Sequence, residues 1–287
     1  MSEVAQLLVN GLVAGTILAV PAIGFTAIFA VLRFPNFTVA AHATIGAFAG
    51  YVTNTALGLP AWAAVLVAFL VAGVSGVLND TLVLRPLRPA GALTMAIAAI
   101  ALNIALENVV RFVFGNDHRG YELALRRDWR VGFLRVGPQQ VENFAIALVA
   151  MAAVFVFLAF TRTGKAMRAV ADNPTLAGIK GIDADRVARL ANLVGMGLAG
   201  IGGMLLGLDT SIDPLTGFRV ILSVFAAAVV GGLGSIPGAV VGAVTIGVAE
   251  ELSLLALAPA YRTAIGFVAI LIVLTLRPRG ILGERAY

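Results

Sequence analysis

The sequence predicts an all-α protein, a polytopic bundle of transmembrane helices. Of its 287 residues, 60% are hydrophobic, and Asp, Glu, Lys and Arg together make up only 12%. In soluble domains about a quarter of the residues are charged, so this chain has too few to cover a water-exposed surface. Three long stretches contain none of these four residue types: Leu7 to Leu32, Phe34 to Asn79 and Val220 to Ala249. A helix that crosses a bilayer needs roughly 20 apolar residues.

Composition also limits the kinds of site that the chain can build. The net charge of +5 comes from cations that lie mostly in short turns between apolar segments. This spread indicates membrane topology, not a nucleic-acid interface. The chain has no cysteine and only two, widely separated histidines, so we expect no disulfide, metal site or cofactor. The first apolar run is too long for a cleaved signal peptide, and we interpret it as a membrane helix.

Charge-free runs and Gly or Pro breaks divide the chain, taken as a single transmembrane domain over residues 1–287, into apolar segments. They lie near residues 7–32, 43–57, 61–83, 92–114, 143–161, 190–208, 220–233, 237–256 and 261–276. Segment 220–233 is short for a crossing. The region 220–256 therefore contains either two spans or a re-entrant hairpin around the turn Gly231 to Gly238 (GGLGSIPG). We expect about eight spans, with this hairpin as the open alternative.

Lys and Arg in the short connections predict the orientation, because they are enriched on the cytoplasmic side. Placing segment 162–189 inside puts twelve of the twenty cations in the cytoplasm. They are Arg33, Arg85, Arg88, Arg162, Lys165, Arg168, Lys180, Arg186, Arg189, Arg277, Arg279 and Arg285. The N-terminus is then periplasmic and the C-terminus cytoplasmic.

Loop 115–142 is periplasmic in this arrangement, although it carries five arginines that its acidic residues offset only in part. Its length, its mixed charges and the aromatic residues Tyr121 and Trp129 suit the docking of another protein. Arg126 and Arg127 are the adjacent cations that we expect to take part in that docking.

The segment Gly164 to Leu190 is polar and helix-compatible between two apolar spans. Asn173 and Pro174 form a cap and first-turn pair, Gly178 and Gly181 provide a helix end, and Asp183 can cap the next helix. The pattern predicts short helices that lie along the cytoplasmic face of the membrane.

Several motifs together resemble those of one transporter family. Besides segment 164–190, they are Asn10-Gly11, Asn36-Phe37, Leu84 to Leu87 (LRPL), Asp213-Pro214, Gly217-Phe218, Ala226 to Gly238, Gly247 to Glu250 (GVAE) and Arg277 to Gly283 (RPRGILG). They cover nearly the whole chain. The resemblance is to permeases of the branched-chain amino acid importer family of ATP-binding cassette transporters.

This resemblance implies a pathway formed by two permease subunits, identical or paralogous, in the bacterial inner membrane. It also implies two cytoplasmic ATPase subunits and a periplasmic binding protein that delivers branched-chain amino acids or related small polar nutrients. The sequence agrees that ATP hydrolysis belongs to another chain. A phosphate-binding loop needs Ser or Thr after Gly-Lys, and the only Gly-Lys, at Gly164 and Lys165, is followed by Ala166. We expect no enzymatic activity in this subunit.

The resemblance also assigns the contact with the ATPase to part of segment 162–189. The residues are Arg168, Asp172, Asn173, Pro174, Ala177, Gly178, Gly181 and Ile182. The small residues among them let the backbone approach a groove on the partner closely.

Polar or irregular positions inside the spans are candidates for lining the pathway. They are Asn10, Asn36, His42, Asn103, Glu107, Gly232, Gly234, Ser235 and Glu250. Several of them have a structural alternative. Glu107 could pair with Arg111, four residues on; Glu250 and Glu251 could both sit in water; and His42 could be an interfacial anchor. The glycines of the GGLGSIPG turn could form a tight hairpin without contact to substrate.

The chain departs from the family after Asn36-Phe37, where the family commonly has Ala-His-Gly-Glu and this chain has Thr38, Val39, Ala40 and Ala41 before His42. The substrate therefore stays open. An ion-coupled secondary transporter is the alternative function, for which Asp80, Glu107 and Glu250 or Glu251 are the available carboxylates. An intramembrane enzyme is disfavoured, because neither HExxH nor GxSxG occurs.

Overall fold

The computed structural model describes residues 2–122, 128–131 and 134–283, and Arg126 and Arg127 lie outside this part. Nearly all of it is helical. The helices are α1 (Ser2–Leu32), α2 (Val39–Tyr51), α3 (Ala61–Asn79), α4 (Arg85–Leu87), α5 (Ala92–Phe114), α6 (Pro138–Phe160), α7 (Arg162–Asp172), α8 (Pro174–Ile179), α9 (Ala184–Asp209), α10 (Thr216–Gly231), α11 (Ile236–Ser253) and α12 (Ala264–Leu276). Two π-helical turns, Val52–Ala56 and Asp80–Leu84, extend α2 and α3.

Among the described residues, six helices are long and apolar enough to cross a membrane: α1, α3 with its extension to Ala90, α5, α6, α9 and α11. Helices α10 and α12 are apolar but shorter. This confirms the predicted all-α bundle of membrane helices. The count of about eight spans is approximate, because α2, α10 and α12 are each shorter than a full crossing requires.

Helices α1, α2 and α9 occupy the centre, and α3, α5 and α6 expose much of their surface at the periphery. Glycines let the central helices approach closely. A Cβ atom added to Gly46 of α2 would lie 2.2 Å from the Cα atom of Gly200 of α9. One added to Gly247 of α11 would lie 2.4 Å from the Cα atom of Gly15 of α1. In lipid, where apolar burial drives helix association weakly, this backbone contact supplies much of the packing energy.

Helix α1 runs the length of the bundle and defines its two ends. At the Gln6 end, the Gln6 side chain accepts from the N–H of Arg135 (2.9 Å), in a two-stranded hairpin of β1 (Trp129–Val131) and β2 (Leu134–Val136). At the Arg33 end, the Arg33 guanidinium donates to the carbonyl oxygen of Ala171 in α7. Loop 115–142 and segment 162–189 therefore lie at opposite ends, as the charge-based orientation requires. Which end faces the cytoplasm stays a prediction.

Candidate functional site

A set of buried polar side chains surrounds the start of α2. Asn36 Oδ1 accepts from the N–H (3.2 Å) and the hydroxyl (2.7 Å) of Thr38, which shapes the turn before the helix. The Nδ2 group of Asn36 is buried and has no hydrogen-bond partner among the described residues. Asn103 of α5 accepts from the N–H of Ala41 (2.7 Å), so a distant helix caps the first turn of α2.

His42 is completely buried within this set. Its Nδ1 lies 2.7 Å from the carbonyl oxygen of Thr38, which can only accept, so Nδ1 carries the proton. Its Nε2 then accepts from the side-chain amide of Asn79 in α3 (3.2 Å). An interfacial anchor would be exposed, so the structure excludes that interpretation of His42. Three of the predicted pathway residues, Asn36, His42 and Asn103, thus meet around one helix start.

Glu107 lies one turn beyond Asn103 on α5. Its carboxylate pairs with Arg111 at 3.0 Å, as the spacing of four residues allows. Glu107 is half-buried and Arg111 more exposed. Glu107 and Arg111 thus form the ion pair that was the structural alternative to a role of Glu107 in lining the pathway.

Glu250 and Glu251 are both buried, with 7% and 8% of their surface exposed. Arg262 lies against both carboxylates, 2.7 Å from Glu251 and 3.5 Å from Glu250. Ser223 of α10 also donates to Glu250 (2.6 Å). The alternative that both carboxylates sit in water at the interface is therefore wrong. Sequence reasoning missed Ser223 and Arg262, which lie 27 and 12 residues from Glu250 with no periodic relation to it.

The remaining pathway candidates lie at the two ends. Asn10 is half-buried near the Gln6 end and accepts from the Gln6 amide (3.0 Å). The turn with Gly232, Gly234 and Ser235 lies at the Arg33 end. The two glycines have φ angles of 109° and 92°, which favour glycine, and Ser235 caps α11 by accepting from the N–H of Gly238.

Two elements enclose that turn. The C-terminal segment pairs with the last turn of α10 through Ile281 N–H to Val230 oxygen (2.8 Å) and Leu282 N–H to Gly231 oxygen (2.9 Å). On its other side, the turn borders a cleft of about 480 Å³ between α1, α6 and α7, which also includes Arg168 and Asp172. Of the nine pathway candidates, three meet at the start of α2, whereas Glu107, Glu250, Asn10 and the three residues of the turn make their contacts elsewhere.

Helices α7 and α8 form the projecting segment at the Arg33 end. Asn173 Oδ1 accepts from the N–H of Leu176 (2.9 Å), and Asp183 Oδ1 accepts from the N–H groups of Asp185 and Arg186, so both predicted caps are confirmed. The hydrogen bond from Arg186, reinforced by the one from Asp185, holds the pKa of the Asp183 carboxyl below its usual range. Gly181 has a φ angle of 82° and ends α8 as a C-terminal glycine does.

The predicted partner-facing residues divide between two faces of this segment. Arg168, Asp172, Asn173, Pro174, Gly178 and Gly181 are exposed, and Ile182 is half-buried. Ala177 is only 3% exposed and packs against the chain's own core, so its side chain cannot face a partner. In its place the structure exposes Leu176 (54%) and Ile179 (77%). Their spacing of three residues places both side chains on one face of a helix, and this spacing is visible in the sequence.

Among the described residues, no three His, Asp or Glu side chains come together as metal ligands. Tyr121, predicted with Trp129 to suit protein docking, instead donates from its hydroxyl to the carbonyl oxygen of Ala47 in α2 (2.6 Å). Trp129 is exposed at the Gln6 end.

The chain matches the family model of the branched-chain amino acid transport system, permease component, over residues 7–275. The high-affinity branched-chain amino acid transport system permease protein LivH is 32% identical in Salmonella typhimurium and 31% in Escherichia coli K12. Its counterpart BraD of Pseudomonas aeruginosa is 30% identical. These alignments cover 97% of this chain and 95% of each relative.

A solved structure, PsaBC from Streptococcus pneumoniae in complex with Fab, resembles this chain with a TM-score of 0.51. It is 16% identical, and the match covers 96% of this chain and 93% of that chain. At this identity the likeness concerns the fold alone.

Proposed function

This chain belongs to the family of permease components of branched-chain amino acid transport systems, and we propose that it forms half of the translocation pathway of an ATP-driven importer. A second permease subunit, identical or paralogous, completes the pathway. The substrates are branched-chain amino acids or related small nutrients. The family match over residues 7–275 is the observation that carries this proposal.

The surface of α7 and α8 supports the coupling part of the proposal. Leu176 and Ile179 project from a short helix whose neighbours include Arg168, Asp172 and Lys180, all exposed. Two large, exposed apolar side chains surrounded by polar residues are typical of a surface that contacts another protein. Because the segment lies at the Arg33 end, an ATPase bound there would touch the connections of α1, α6 and α9 together.

The arrangement of the two ends supports separate partners. We assign the Arg33 end to the cytoplasm and the two ATPase subunits, with the C-terminus on the same side. The Gln6 end, with the N-terminus and loop 115–142, then faces the periplasm and receives the binding protein. This assignment follows the distribution of Lys and Arg among the short connections.

The alternative function, an ion-coupled secondary transporter, is disfavoured because its candidate carboxylates are all paired with arginines. Asp80 pairs with Arg88, Glu107 with Arg111, and Glu250 and Glu251 with Arg262. A coupling carboxylate must exchange its ion during each cycle, whereas each of these is held by an arginine in the structure. They serve as structural anchors in the function proposed here.

Transport in proteoliposomes tests the proposal. The chain is co-expressed with its genomic neighbours, the complex is purified, and uptake of radiolabelled leucine is measured with the binding protein present. We expect uptake that requires ATP on the ATPase side and stops when the ATPase carries an inactivated phosphate loop. Leucine uptake by the purified chain alone, driven by a proton or sodium gradient, would contradict the proposal.

A further inference from the structure

The buried carboxylate of Asp80 and the LRPL motif beside it are unexplained by the function above. From their contacts we propose that Arg88 is a positioning residue that transmits movement of the ATPase-bound segment to the central helix α2. The inference rests on the proposed function and adds a route inside this chain. We call Asp80, Arg88 and Asp185 the Arg88 bridge.

Arg88 joins two elements that are distant in sequence. Its Nη2 donates to both carboxylate oxygens of Asp80, at 3.0 and 2.7 Å, and its Nη1 donates to Asp185 Oδ1 at 3.1 Å. Asp185 lies in the first turn of α9, directly after the segment that carries α7 and α8. Nη2 anchors Arg88 at Asp80, and the other amino group of the same guanidinium remains available for Asp185.

The two ends of the bridge differ in exposure. The Asp80 side chain is completely buried, whereas that of Asp185 is 43% exposed at the Arg33 end. A buried carboxylate is strongly disfavoured without its cation, so Asp80 holds Arg88 in place. The exposed Asp185 is then the end at which a displaced α9 can pull on the bridge.

Asp80 also leads to the centre of the molecule. The preceding residue, Asn79, donates to Nε2 of His42 in α2 at 3.2 Å. Side-chain contacts thus connect Asp185 through Arg88 to Asp80, and Asn79 to His42. The helix backbone joins the two parts at the neighbouring residues Asn79 and Asp80. Leu84, at the end of the same turn, is buried with Phe34, in the connection that leads into α2.

The element that can change between two arrangements is the π-helical turn Asp80–Leu84. A π-helical turn holds one more residue than an α-helical turn, is rare, and occurs frequently at functional sites. Pro86 and Pro89 follow it and have no backbone N–H to donate, so the helix continues to Ala90 with fewer hydrogen bonds around this turn. We infer that outward movement of Asp185 closes this turn and shifts Asn79 relative to His42.

The test compares Asp185→Asn with Arg85→Gln in the complete transporter. Arg85 also pairs with Asp185 (2.5 Å), but it makes no contact with Asp80, so it is the matched control. The measured quantity is leucine transported per ATP hydrolysed. We expect Asp185→Asn to lower this ratio by about fivefold or more, the size of a typical coupling effect, while the ATPase still co-purifies. We expect Arg85→Gln to stay near the wild-type ratio.

A second measurement separates transmission from stability. Asp80→Asn combined with Arg88→Gln removes the buried carboxylate together with the cation that pairs with it, so that Asp80 is not left as an unpaired buried charge. We expect this double variant to unfold at nearly the wild-type temperature but to show the same low transport per ATP. Adding Asn79→Ala to Asp185→Asn should lower the ratio no further, because both changes interrupt one route.

Three outcomes would overturn the inference: a wild-type ratio in Asp185→Asn, an equal loss in Arg85→Gln, or loss of ATPase co-purification in Asp185→Asn. The last would place Asp185 in the docking surface. If the wild-type complex itself fails to transport leucine with ATP, the proposed function is wrong. That result differs from the three outcomes above, which all require a wild-type complex that transports leucine.

Discussion

The imidazole Nε2 of His42 accepts a hydrogen bond from the side-chain amide of Asn79, with 3.2 Å between the two nitrogens. Both ring nitrogens of His42 therefore have partners inside the protein, because Nδ1–H donates to the carbonyl oxygen of Thr38. His42, a pathway candidate for which interfacial anchoring was the alternative, is therefore a connection between α2 and α3.

Replacing His42 with Leu should lower the free energy of unfolding by about 1 to 3 kcal/mol, because Thr38 and Asn79 lose a buried partner. The measurement is thermal unfolding of the purified protein in detergent. His118, which is exposed, is the matched control, and His118→Leu should change the stability by less than about 0.5 kcal/mol. Equal effects of the two substitutions would contradict the buried role of His42.

Trp substitutions in α8 should separate folding from partner contact. A Cβ atom at Gly178 meets nothing within 4 Å, so Gly178→Trp should fold normally and impair ATPase co-purification and substrate-stimulated ATP hydrolysis. Ala177 packs inward, so Ala177→Trp should instead destabilise the protein by about 1 to 3 kcal/mol. Gly120→Trp, at the opposite end and also unobstructed, is the control. Normal coupling in Gly178→Trp would remove α8 from the interface.

The apolar pair on α8 gives a complementary prediction. Leu176→Asp with Ile179→Asp should leave the fold intact, because both side chains are largely exposed. It should weaken ATPase binding by at least about tenfold if the two side chains are central to the contact. Pull-down of the ATPase at increasing concentration measures this. Binding that is unchanged would show that Leu176 and Ile179 lie outside the interface.

The orientation can be tested with single cysteines, because the chain has none of its own. Gly178→Cys and Gly120→Cys introduce thiols at exposed positions with open surroundings. A membrane-impermeant maleimide should label Gly120→Cys in spheroplasts and Gly178→Cys only in inverted vesicles. The reverse pattern would invert the proposed topology.

Charge reversal of Arg126 and Arg127 together should weaken docking of the binding protein, with an effect that shrinks as salt rises. Surface charges act mainly through long-range attraction, which added ions screen. Binding is measured at low and at physiological ionic strength. Charge reversal of Arg162 and Lys165, at the other end, serves as the control. Unchanged docking at low salt in the Arg126 and Arg127 variant would contradict a role of loop 115–142 in docking.

The sequence by itself determined the class of fold and the local helix ends. In a bilayer every backbone polar group must be satisfied within the protein, and a continuous apolar run of about 20 residues satisfies its own groups as a helix. The caps at Asn173 and Asp183 were equally predictable, because each involves residues two or three positions away. The motifs along nearly the whole chain also identify its family, whose model matches residues 7–275.

Only the tertiary structure decided which faces point inward. In a soluble protein the alternation of apolar and polar residues marks the buried face, but in a membrane helix the lipid-facing side is as apolar as the core. The sequence therefore could not show that Glu250 and Glu251 are buried and share Arg262. The contact of His42 with Asn79 joins residues 37 positions apart, and it exists only because the packing of α2 against α3 brings them together.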